Sequence, residues 1–494
     1  MKRQGGIALN KLIKNELTKI FKKKSIYITL FVILAFVILT NCIYKFFYHT
    51  GSYDEYDDSY IQYVKEEIAK LDPNKPSDTK MYIDLKTSLD IYDMRQKYED
   101  NSWQRSVLPN QVSSQVNERN TYLYGENKES QKVAKIEEEI NQILEKLDQG
   151  DWRYFAKKDL EQAKTSLTNL EEQRANTEDK QELQALEIGI QNAKIDQEVA
   201  QIRMDKDIQY GNDFRNRALE TYQNEAKNVI NMENSTQELD YKEKQEKNKS
   251  IEKREINRYI LENNVDINKS NDVRGILKNL FSEYGLFIIV MIVMIAGTIV
   301  SEEFNKGTIK LLLVKPYDRR KILLAKFITV LIMIVFSIVA VVLMELIVGG
   351  IIFGVDSLSV PVLQYNFVTQ NLESMNIFAY LGIEILTQLP KLVLLATLAF
   401  ACSTLFTNSA VAIAIPLLGY MSADMINLLV IQYKVEFMKF FVSLNWDFQE
   451  YLFGNLPSME GLTLGFSMVI CALYFVVMLI PTFVVFQKKN IKNV

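Results

Sequence analysis

Residues 26–44 read IYITLFVILAFVILTNCIY, nineteen consecutive positions without a charged side chain. About 20 apolar residues are needed to cross the hydrocarbon core of a bilayer, so this run predicts a membrane-spanning helix. It is too long for the apolar part of a secretory signal peptide, and no small-residue cleavage site follows it. Further uncharged runs cover residues 284–300, 327–344, 392–423 and 461–487. Together these runs exclude a soluble globular protein.

The run at 392–423 is too long for one span, and its centre at 404–409 is polar and typical of a turn. We therefore divide it in two. The predicted fold class is an all-α membrane protein with six transmembrane helices. We place them at about residues 25–47, 281–300, 322–353, 377–403, 409–431 and 462–487.

Lysine and arginine in short loops predict the orientation of such a chain, because they are enriched on the cytoplasmic side. Residues 1–50 carry nine basic side chains and one acidic side chain, and the segment 301–326 carries seven basic ones. The tail at 488–494 adds three, whereas the segment 354–377 has none. We therefore expect a multi-pass protein of the plasma membrane with both termini in the cytoplasm. Residues 48–280 would then lie outside the cell.

The segment between the first two spans is polar: residues 51–280 carry 35 basic and 47 acidic side chains, a net charge of −12. Apolar residues recur in it with steps of three and four, the pattern of a coiled coil. One seam is Val133, Ile136, Ile140, Ile143 and Leu147, and a second is Leu160, Ala163, Leu167 and Leu170. Breaks are expected at 72–77, 106–114, 150–151 and 176–179, followed by one helix over 179–228. These patterns predict a helical, coiled-coil extracellular domain over 48–280.

The composition argues against several other classes of protein. Lys+Arg number 57, Asp+Glu 61 and His one, a near-neutral balance that is atypical of a nucleic-acid binder. Cys42, Cys402 and Cys471 all lie in apolar runs, so we expect neither a disulfide framework nor a metal site. The sequence also lacks a pattern that pairs a nucleophile with a base, so we expect no catalytic residues.

The segment after the second span reads SEEFNKGTIKLLLVKP, residues 301–316. Phe304, Thr308, Leu311 and Leu312 would share one face of a short amphipathic helix that Pro316 ends. A soluble partner that binds such a helix can move the two spans that it connects. A second amphipathic helix is predicted within residues 1–24, where one face carries Leu9, Leu12, Ile13, Leu17, Ile20 and Phe21.

The stretch 302–326 closely resembles the loop after the second span in ABC-2 type permeases of ABC transporters. Their pattern is Glu, three residues, Gly-Thr, a Leu-rich turn, Pro, and basic residues that open the next helix. Here those places are filled by Glu303, Gly307, Thr308, Leu313, Pro316, Arg319 and Lys326. Residues 1–24 are similar to the elbow helix of the family. The resemblance covers 1–48 and 281–494, and the long insert between the first two spans departs from the family pattern.

This resemblance implies a subunit of an exporter that moves a peptide, an antibiotic, a lipid-like compound or an ion. ATP and Mg²⁺ would bind a separate ATPase subunit, because this sequence has no Gly-x-x-x-x-Gly-Lys-Ser/Thr phosphate loop. The chain itself would be no enzyme and would bind no cofactor. Further partners would be a second permease, identical or homologous, and the lipid bilayer, with no nucleic acid. The insert resembles the enlarged outer domains of some permeases of Gram-positive bacteria, which implies such a host and a role in resistance to antimicrobial peptides.

In the same way, the resemblance assigns the contact with the ATPase to the coupling loop at 301–321. Its candidate residues are Glu302, Glu303, Phe304, Gly307, Thr308, Leu311, Leu312 and Pro316.

Polar residues within the predicted spans form a second candidate site. A charged side chain is costly inside a membrane, so its presence there indicates a paired or functional group. They are Glu345, Glu384, Gln388, Lys391 and Asp424. Glu384 and Lys391 are seven residues apart on one helix face, so we expect them to pair, with Glu345 or Asp424 as alternative partners of Lys391. A polar translocation path is the other role open to these residues. Gly350-x-x-x-Gly354 and Gly461-x-x-x-Gly465 are candidate sites of close helix packing.

Two other functions fit parts of the pattern. A coiled-coil surface receptor or secretion-system scaffold, resembling the phage-infection-protein group, would also place a long helical domain after the first span. A working coupling loop argues against it, because a scaffold needs no contact with an ATPase. A membrane-bound enzyme is disfavoured because its catalytic pattern is missing.

Overall fold

The computed structural model describes residues 2–46, 58–235, 237–267, 269, 272–309, 318–406 and 408–489. The chain divides into two compact units: residues 1–49 with 267–494 form the membrane unit, and residues 50–266 form the helical unit. Most of the described residues are helical, which confirms the predicted all-α class. The membrane unit adds one two-stranded sheet that was not predicted from the sequence.

The chain begins with α1 (Lys2–Phe21) and α2 (Lys24–Phe46) in the membrane unit. The helical unit contains α3 (Asp58–Ile68), α4 (Pro76–Arg95), α5 (Trp103–Tyr124), α6 (Ser130–Asp148), α7 (Trp152–Asn176), α8 (Lys180–Asp205), α9 (Phe214–Glu233) and α10 (Tyr241–Asn263). The membrane unit continues with α11 (Val273–Lys278), α12 (Leu280–Thr298), α13 (Ser301–Asn305), α14 (Arg319–Phe353), α15 (Ile377–Leu405), α16 (Ser409–Gln432) and α17 (Leu464–Lys488).

Six of these helices, α2, α12, α14, α15, α16 and α17, are long and apolar enough to cross a membrane. This agrees with the predicted number of spans. At 1.5 Å per residue, the 35-residue α14 is roughly 52 Å long and extends well beyond an apolar core of about 30 Å. The helices α12 and α15 are the most buried of the six, whereas α2, α16 and α17 expose much of their apolar surface.

The core of the membrane unit is built around α12, which packs against α14, α15 and α16. Its buried side chains are almost all apolar, among them Ile288, Ile292 and Val293. Gly297 permits a close approach to α16: a Cβ atom at this position would lie 2.9 Å from Ile413 Cγ1 and 3.2 Å from the Ala412 carbonyl oxygen. A side chain at residue 297 would therefore separate the two helices.

Two expectations about the membrane unit need correction. Residues 273–278 were predicted in the extracellular domain, but Val273, Ile276 and Leu277 are buried against the membrane helices, so α11 belongs to this unit. The two Gly-x-x-x-Gly sites are also wrong, because Gly354 and Gly461 both have φ near +84° and lie just outside helices. They interrupt the chain at helix ends and do not form a packing face.

Irregular segments connect the later helices. Strands β1 (Val362–Asn366) and β2 (Asn371–Met375) pair antiparallel between α14 and α15, with Val362 opposite Met375. The tight turn is held by Asn366 Oδ1, which accepts the backbone N–H groups of Val368 and Thr369. Residues 436–454, between α16 and α17, form short 3₁₀ turns instead of a regular helix.

In the helical unit, α5 packs with α6, α7 with α8 and α9 with α10, each pair joined by a short connection. All five residues of the first predicted seam, Val133 to Leu147, are buried. The predicted breaks at 150–151 and 176–179 are confirmed. In both cases an aspartate caps the next helix: Asp151 accepts the Tyr154 N–H, and Asp179 accepts those of Gln181 and Glu182.

Two predictions for the helical unit are wrong. The expected turn at 106–114 lies inside α5, because Val107, Leu108 and Val112 are buried in the core and Arg95 Nε bonds the Arg105 carbonyl that Pro109 cannot reach. The expected single helix over 179–228 is broken between α8 and α9. There Asp207 has φ of 51°, and Asp213 starts a new helix by accepting the Asn216 N–H.

We predict that Gly297→Ala destabilises the membrane unit by about 1–3 kcal/mol, because the added methyl group overlaps α16. The apparent melting temperature of the purified protein in detergent measures this. Gly382→Ala is the matched control, since a Cβ on this α15 glycine meets nothing within 4 Å. Equal melting temperatures for the two variants would contradict the close contact between α12 and α16.

Candidate functional site

The loop that follows α12 is held by a cluster of four charged side chains, which we call the loop cluster: Glu16, Lys19, Glu303 and Lys326. Two come from α1, one from α13 and one from α14. Lys326 Nζ lies 2.7 Å from Glu16 Oε2 and 2.8 Å from Glu303 Oε1. Lys19 Nζ lies 2.7 Å from Glu16 Oε1 and 2.9 Å from Glu303 Oε1. Both lysines therefore bridge the same two carboxylates.

Lys326 is the most buried member of the loop cluster, with its side chain only 1% exposed. A lysine ammonium has three N–H donors, and a third acceptor is present: the Ile299 carbonyl oxygen at the end of α12, 3.0 Å away. The two lysines and two glutamates balance in charge. A buried ammonium is tolerated only with such partners, so α1, the end of α12 and α13 are all bound to one point on α14.

Electrostatics at the loop cluster favour the charged forms. Burial alone would raise the pKa of Glu16, but the nearby Lys326 and Lys19 ammonium groups outweigh it and hold that pKa below its usual value. Burial would likewise lower the pKa of Lys19, yet its hydrogen bonds to Glu16 and Glu303 raise it. Since the pKa of Glu16 is depressed in the folded chain, its contribution to stability is present at neutral pH and is lost as the pH falls through the acidic range.

A more exposed ion pair strengthens the same connection. Lys23, at the junction of α1 and α2, lies 2.8 Å from Glu302 Oε2, and Lys306 reaches the same oxygen at 3.4 Å. Burial raises the pKa of Glu302, but these lysines reverse the effect and lower it. Exposed pairs of this kind contribute little stability individually, so the loop cluster remains the stronger attachment.

The predicted amphipathic helix of the loop is shorter than expected. α13 ends at Asn305, and Gly307 has φ of +68°, a left-handed conformation that stops the helix. Phe304 is buried, with Lys489 Nζ 4.9 Å from its ring centre, whereas Thr308 is exposed. Leu311, Leu312 and Pro316 lie outside the described residues. Between Phe304 and Thr308, the predicted helical face is interrupted at Gly307.

The loop cluster was only partly visible in the sequence. Glu303 and Lys326 belong to the motif, but their contact was not predicted, and neither Glu16 nor Lys19 was considered. One signal could have found Glu16: it is the single acidic residue among nine basic ones in residues 1–50, in a helix whose other face is apolar.

A second polar group joins α15 to the irregular segment before α17. Asp447 lies 3.2 Å from Lys391 Nζ and also accepts a hydrogen bond from Gln388 Nε2 at 3.0 Å. The predicted pairing of Lys391 with Glu384 is therefore wrong. Two helical turns separate those residues by about 10.5 Å along the axis, so their carboxylate and ammonium do not meet. Asp447 lies outside the predicted spans, and no local pattern in the sequence connects it to Lys391.

The segment that carries Asp447 is packed into the membrane unit. Asn445 is fully buried, and its amide donates to the carbonyl oxygens of Lys439 and Phe441 at 2.7 and 2.8 Å. Its own oxygen accepts from Ser467 on α17 at 2.7 Å. Burial raises the pKa of Glu450, which accepts the Ser458 backbone N–H at 2.9 Å. Irregular backbone is tolerated in such surroundings when its polar groups are satisfied in this way.

The remaining predicted residues lie apart from both groups. Glu384 is buried on α15 beside Phe281, whose backbone supplies a hydrogen bond. Glu345 is buried on α14 and bonds Asn41 and Tyr284. Asp424 is exposed on α16. Within the described ranges, no set of three His, Cys, Asp or Glu side chains is placed to hold a metal ion.

Comparison with known proteins finds similar chains in Bacillus subtilis, one of which is named a membrane protein. The family described as "Protein of unknown function (DUF2705)" matches residues 248–492. The chain is 30% identical over 209 residues to "Uncharacterized protein YhcI" of Bacillus subtilis (strain 168), a match that covers 42% of this chain and 65% of YhcI. It is also 30% identical over 190 residues to "Uncharacterized membrane protein YdbK" of the same strain, covering 37% of this chain and 71% of YdbK. The chain belongs to the YdbK family.

No solved structure matches the chain significantly. The DUF2705 match covers residues 248–492 and therefore lies mainly in the membrane unit. Six helices long enough to cross a bilayer and membership of the YdbK family make this a multi-pass membrane protein.

We predict that Lys326→Met destabilises the protein by about 3–5 kcal/mol, because it leaves two buried carboxylates with one partly exposed lysine. Adding Glu16→Gln should recover part of this loss, and the apparent melting temperatures of the two single variants and the double variant measure the coupling. The matched control is Lys321→Met, an exposed lysine on the same helix. A loss no larger for Lys326→Met than for Lys321→Met would contradict the buried cluster.

For the second polar group, we predict that Lys391→Met is more harmful alone than together with Asp447→Asn, with a coupling of about 1 kcal/mol for this partly exposed pair. Combining Lys391→Met with Glu384→Gln should instead give additive losses. Thermal unfolding in detergent tests both pairs under one condition. Additivity for Lys391 with Asp447 would show that their contact contributes nothing.

Proposed function

We propose that this chain is the membrane-spanning permease subunit of an ATP-binding cassette exporter. The loop cluster is the observation that carries the proposal. A soluble ATPase that pushes on residues 301–309 would act through Glu303 on Lys326, and thereby on α14 and α1 together. A loop held only by flexible connections would absorb such a push without moving the spans.

Contacts of the loop with other spans support the same role. Ser403 on α15 accepts the Ser301 backbone N–H at 2.9 Å, and the Ser301 hydroxyl lies 2.7 Å from that of Ser409 on α16. The loop therefore bonds α1, α14, α15 and α16 through residues 301–303. This breadth of attachment is what a coupling element needs, because movement of one short segment then reaches most of the bundle.

We further propose that this end of the bundle faces the cytoplasm. The C-terminal part of α17 lies here too, since Arg319 donates to the carbonyl oxygens of Gln487 and Lys489, each at 3.1 Å. Residues 16–23 of the first helix region and residues 487–489 thus lie with the loop that joins α12 and α14. The basic residues of 1–24, 301–326 and 488–494 assign that face to the cytoplasm by the positive-inside rule.

On this assignment the helical unit lies outside the cell, and its acidic balance favours cationic substrates such as peptides at low ionic strength. ATP and Mg²⁺ would be bound by the separate ATPase subunit. A second permease copy or a homologous permease would complete the exporter. The alternative, a surface receptor or secretion scaffold, has no use for a loop that is bonded to four helices.

The proposal predicts which protein contacts the loop. A photo-crosslinking amino acid placed at the exposed Lys306 should capture, in living cells, a chain that contains a Gly-x-x-x-x-Gly-Lys-Ser/Thr phosphate loop. Mass spectrometry of the crosslinked product identifies it. The same amino acid at the exposed Thr369, in the turn between β1 and β2, is the matched control and should not capture that chain.

Crosslinking at residue 306 that yields no ATPase chain, in cells where the protein is inserted normally, would contradict the proposal. Capture of the same ATPase at residue 369 would contradict the proposed orientation, because the two positions would then face the same compartment.

A further inference from the structure

A hydrogen-bonded group of three side chains lies in the membrane unit, away from the loop cluster and from Asp447. Asn41 on α2, Tyr284 on α12 and Glu345 on α14 are each fully buried, with exposed fractions of 0%. We call them the acid–amide group. It joins three of the six apolar helices at one point.

One oxygen of Glu345 is well supplied with donors. Oε2 accepts from the Tyr284 hydroxyl at 2.7 Å and from the Asn41 amide nitrogen at 2.9 Å. The same amide nitrogen donates to the Val37 carbonyl oxygen, also at 2.9 Å. Because both partners of that nitrogen are acceptors, the orientation of the Asn41 amide is fixed: turning it over would place its oxygen against two other oxygens.

Two oxygens on the other side of the acid–amide group accept no hydrogen bond from a described residue. Within the described part of the chain, neither Glu345 Oε1 nor Asn41 Oδ1 has a hydrogen-bond partner, although both are buried. Both oxygens point toward Gly349: a Cβ atom there would lie 2.5 Å from Oε1 and 3.2 Å from Oδ1. Two acceptors that face one spot with no donor between them are costly to bury.

The charged and titratable groups on the surrounding helices do not neutralise Glu345. On α2, Lys45 lies over the Phe353 ring, and on α11 the Arg274 guanidinium bonds the carbonyl oxygens of Ile267 and Pro361. On α12, Glu283 accepts from Tyr44 and adds negative charge, and the one carboxyl that α15 carries is Glu384. The other charged residues of α11 are Asp272, which caps Gly275, and Lys278, which has its own interaction.

An ionised Glu345 would thus be an isolated buried carboxylate beside another negative charge, an arrangement that apolar surroundings strongly disfavour. One added proton removes the charge and supplies the missing donor. With the proton on Oε1, the carboxylic acid donates to Asn41 Oδ1 while the amide N–H donates to Oε2. The acid and the amide then form a closed pair of hydrogen bonds, and every buried oxygen in the group has a partner.

We propose that Glu345 and Asn41 form a proton-binding site between α2 and α14, in which the Glu345 carboxyl is held protonated at neutral pH. The site goes beyond export driven by an ATPase and does not depend on it. A proton fits this place better than a metal ion does. Among the described residues, two free oxygens face it, far fewer than the six to eight that Ca²⁺ takes, and Gly349 with Val273 closes the space beside them.

The site makes the packing of α2 against α14 depend on one proton. Loss of that proton would break the acid–amide pair and leave a negative charge that the closed helices cannot solvate. Water must therefore reach the site before the proton can leave. Proton release and the separation of α2 from α14 are consequently linked events, and each should favour the other.

Infrared difference spectroscopy of the full-length protein in lipid nanodiscs tests the proposal. At neutral pH the spectrum of the wild-type protein minus that of Glu345→Gln should show the carbonyl stretch of a protonated, hydrogen-bonded carboxylic acid. Glu460→Gln, at an exposed position, is the matched control and should remove no such band. Asn41→Leu should shift the band to higher wavenumber, because the acid loses its acceptor.

Stability provides a second readout, since Glu345→Gln is nearly isosteric and neutral. Its amide can donate to Asn41 Oδ1 and accept from Tyr284, so the apparent melting temperature should equal that of the wild-type protein below about pH 4, where the Glu345 carboxyl is largely protonated in the unfolded chain as well. As the pH rises from there through neutrality, the wild-type protein should lose stability that Glu345→Gln retains, because unfolding then releases the Glu345 proton.

Three results would overturn the proposal. One is a wild-type spectrum at neutral pH with no acid band that Glu345→Gln removes. Another is an acid band that appears only when Na⁺ is replaced by a bulky organic cation, which would make this a metal-cation site. The third is identical pH dependence of the melting temperature for the wild-type protein and Glu345→Gln, which would show that folding does not raise the proton affinity of Glu345.

Discussion

The membrane unit depends on a single buried ammonium group. Lys326 has only 1% of its side chain exposed, and its three donors reach Glu16 on α1, Glu303 on α13 and the carbonyl end of α12. Withdrawing any of these partners would leave a buried charge incompletely compensated. Lys326 therefore holds α1, α12, α13 and α14 together more firmly than the short connections between them would. The amphipathic α1 is thereby a fixed part of the bundle, attached at the same point as the loop that follows α12.

Polar groups elsewhere in the membrane unit are also paired across segments, with different chemistry. Lys391 is neutralised by Asp447 from an irregular segment, and Gln388 on the same helix supports that aspartate. Glu345 has no cation within its reach among the described residues, and the acid–amide pair with Asn41 offers neutrality through a proton. Each of these polar groups is therefore compensated by a specific partner on another segment, so these contacts select one arrangement of the helices.

Much of the architecture follows from local sequence patterns. Long uncharged runs locate the six apolar helices, and steps of three and four locate the buried seam from Val133 to Leu147, because both signals arise from neighbouring residues on one helix. The wrong predictions about Pro109 and Lys391 involve contacts that no local pattern reveals. Pro109 is accommodated in a helix because Arg95 satisfies the exposed carbonyl, and Lys391 pairs with an aspartate 56 residues away. The loop motif pointed to Glu303 and Lys326, but only the fold brings Glu16 to them from 310 residues away.

Through Lys326, α1, the loop and α14 should behave as one mechanical element. Hydrogen–deuterium exchange of the wild-type protein and Lys326→Met in nanodiscs tests this most directly. We expect residues 9–21 and 299–305 to lose protection together in Lys326→Met, while the hairpin of α7 and α8 exchanges as in the wild-type protein. If α1 kept its full protection while 299–305 lost theirs, the two segments would be held independently, and Lys326 would not unite them into one element.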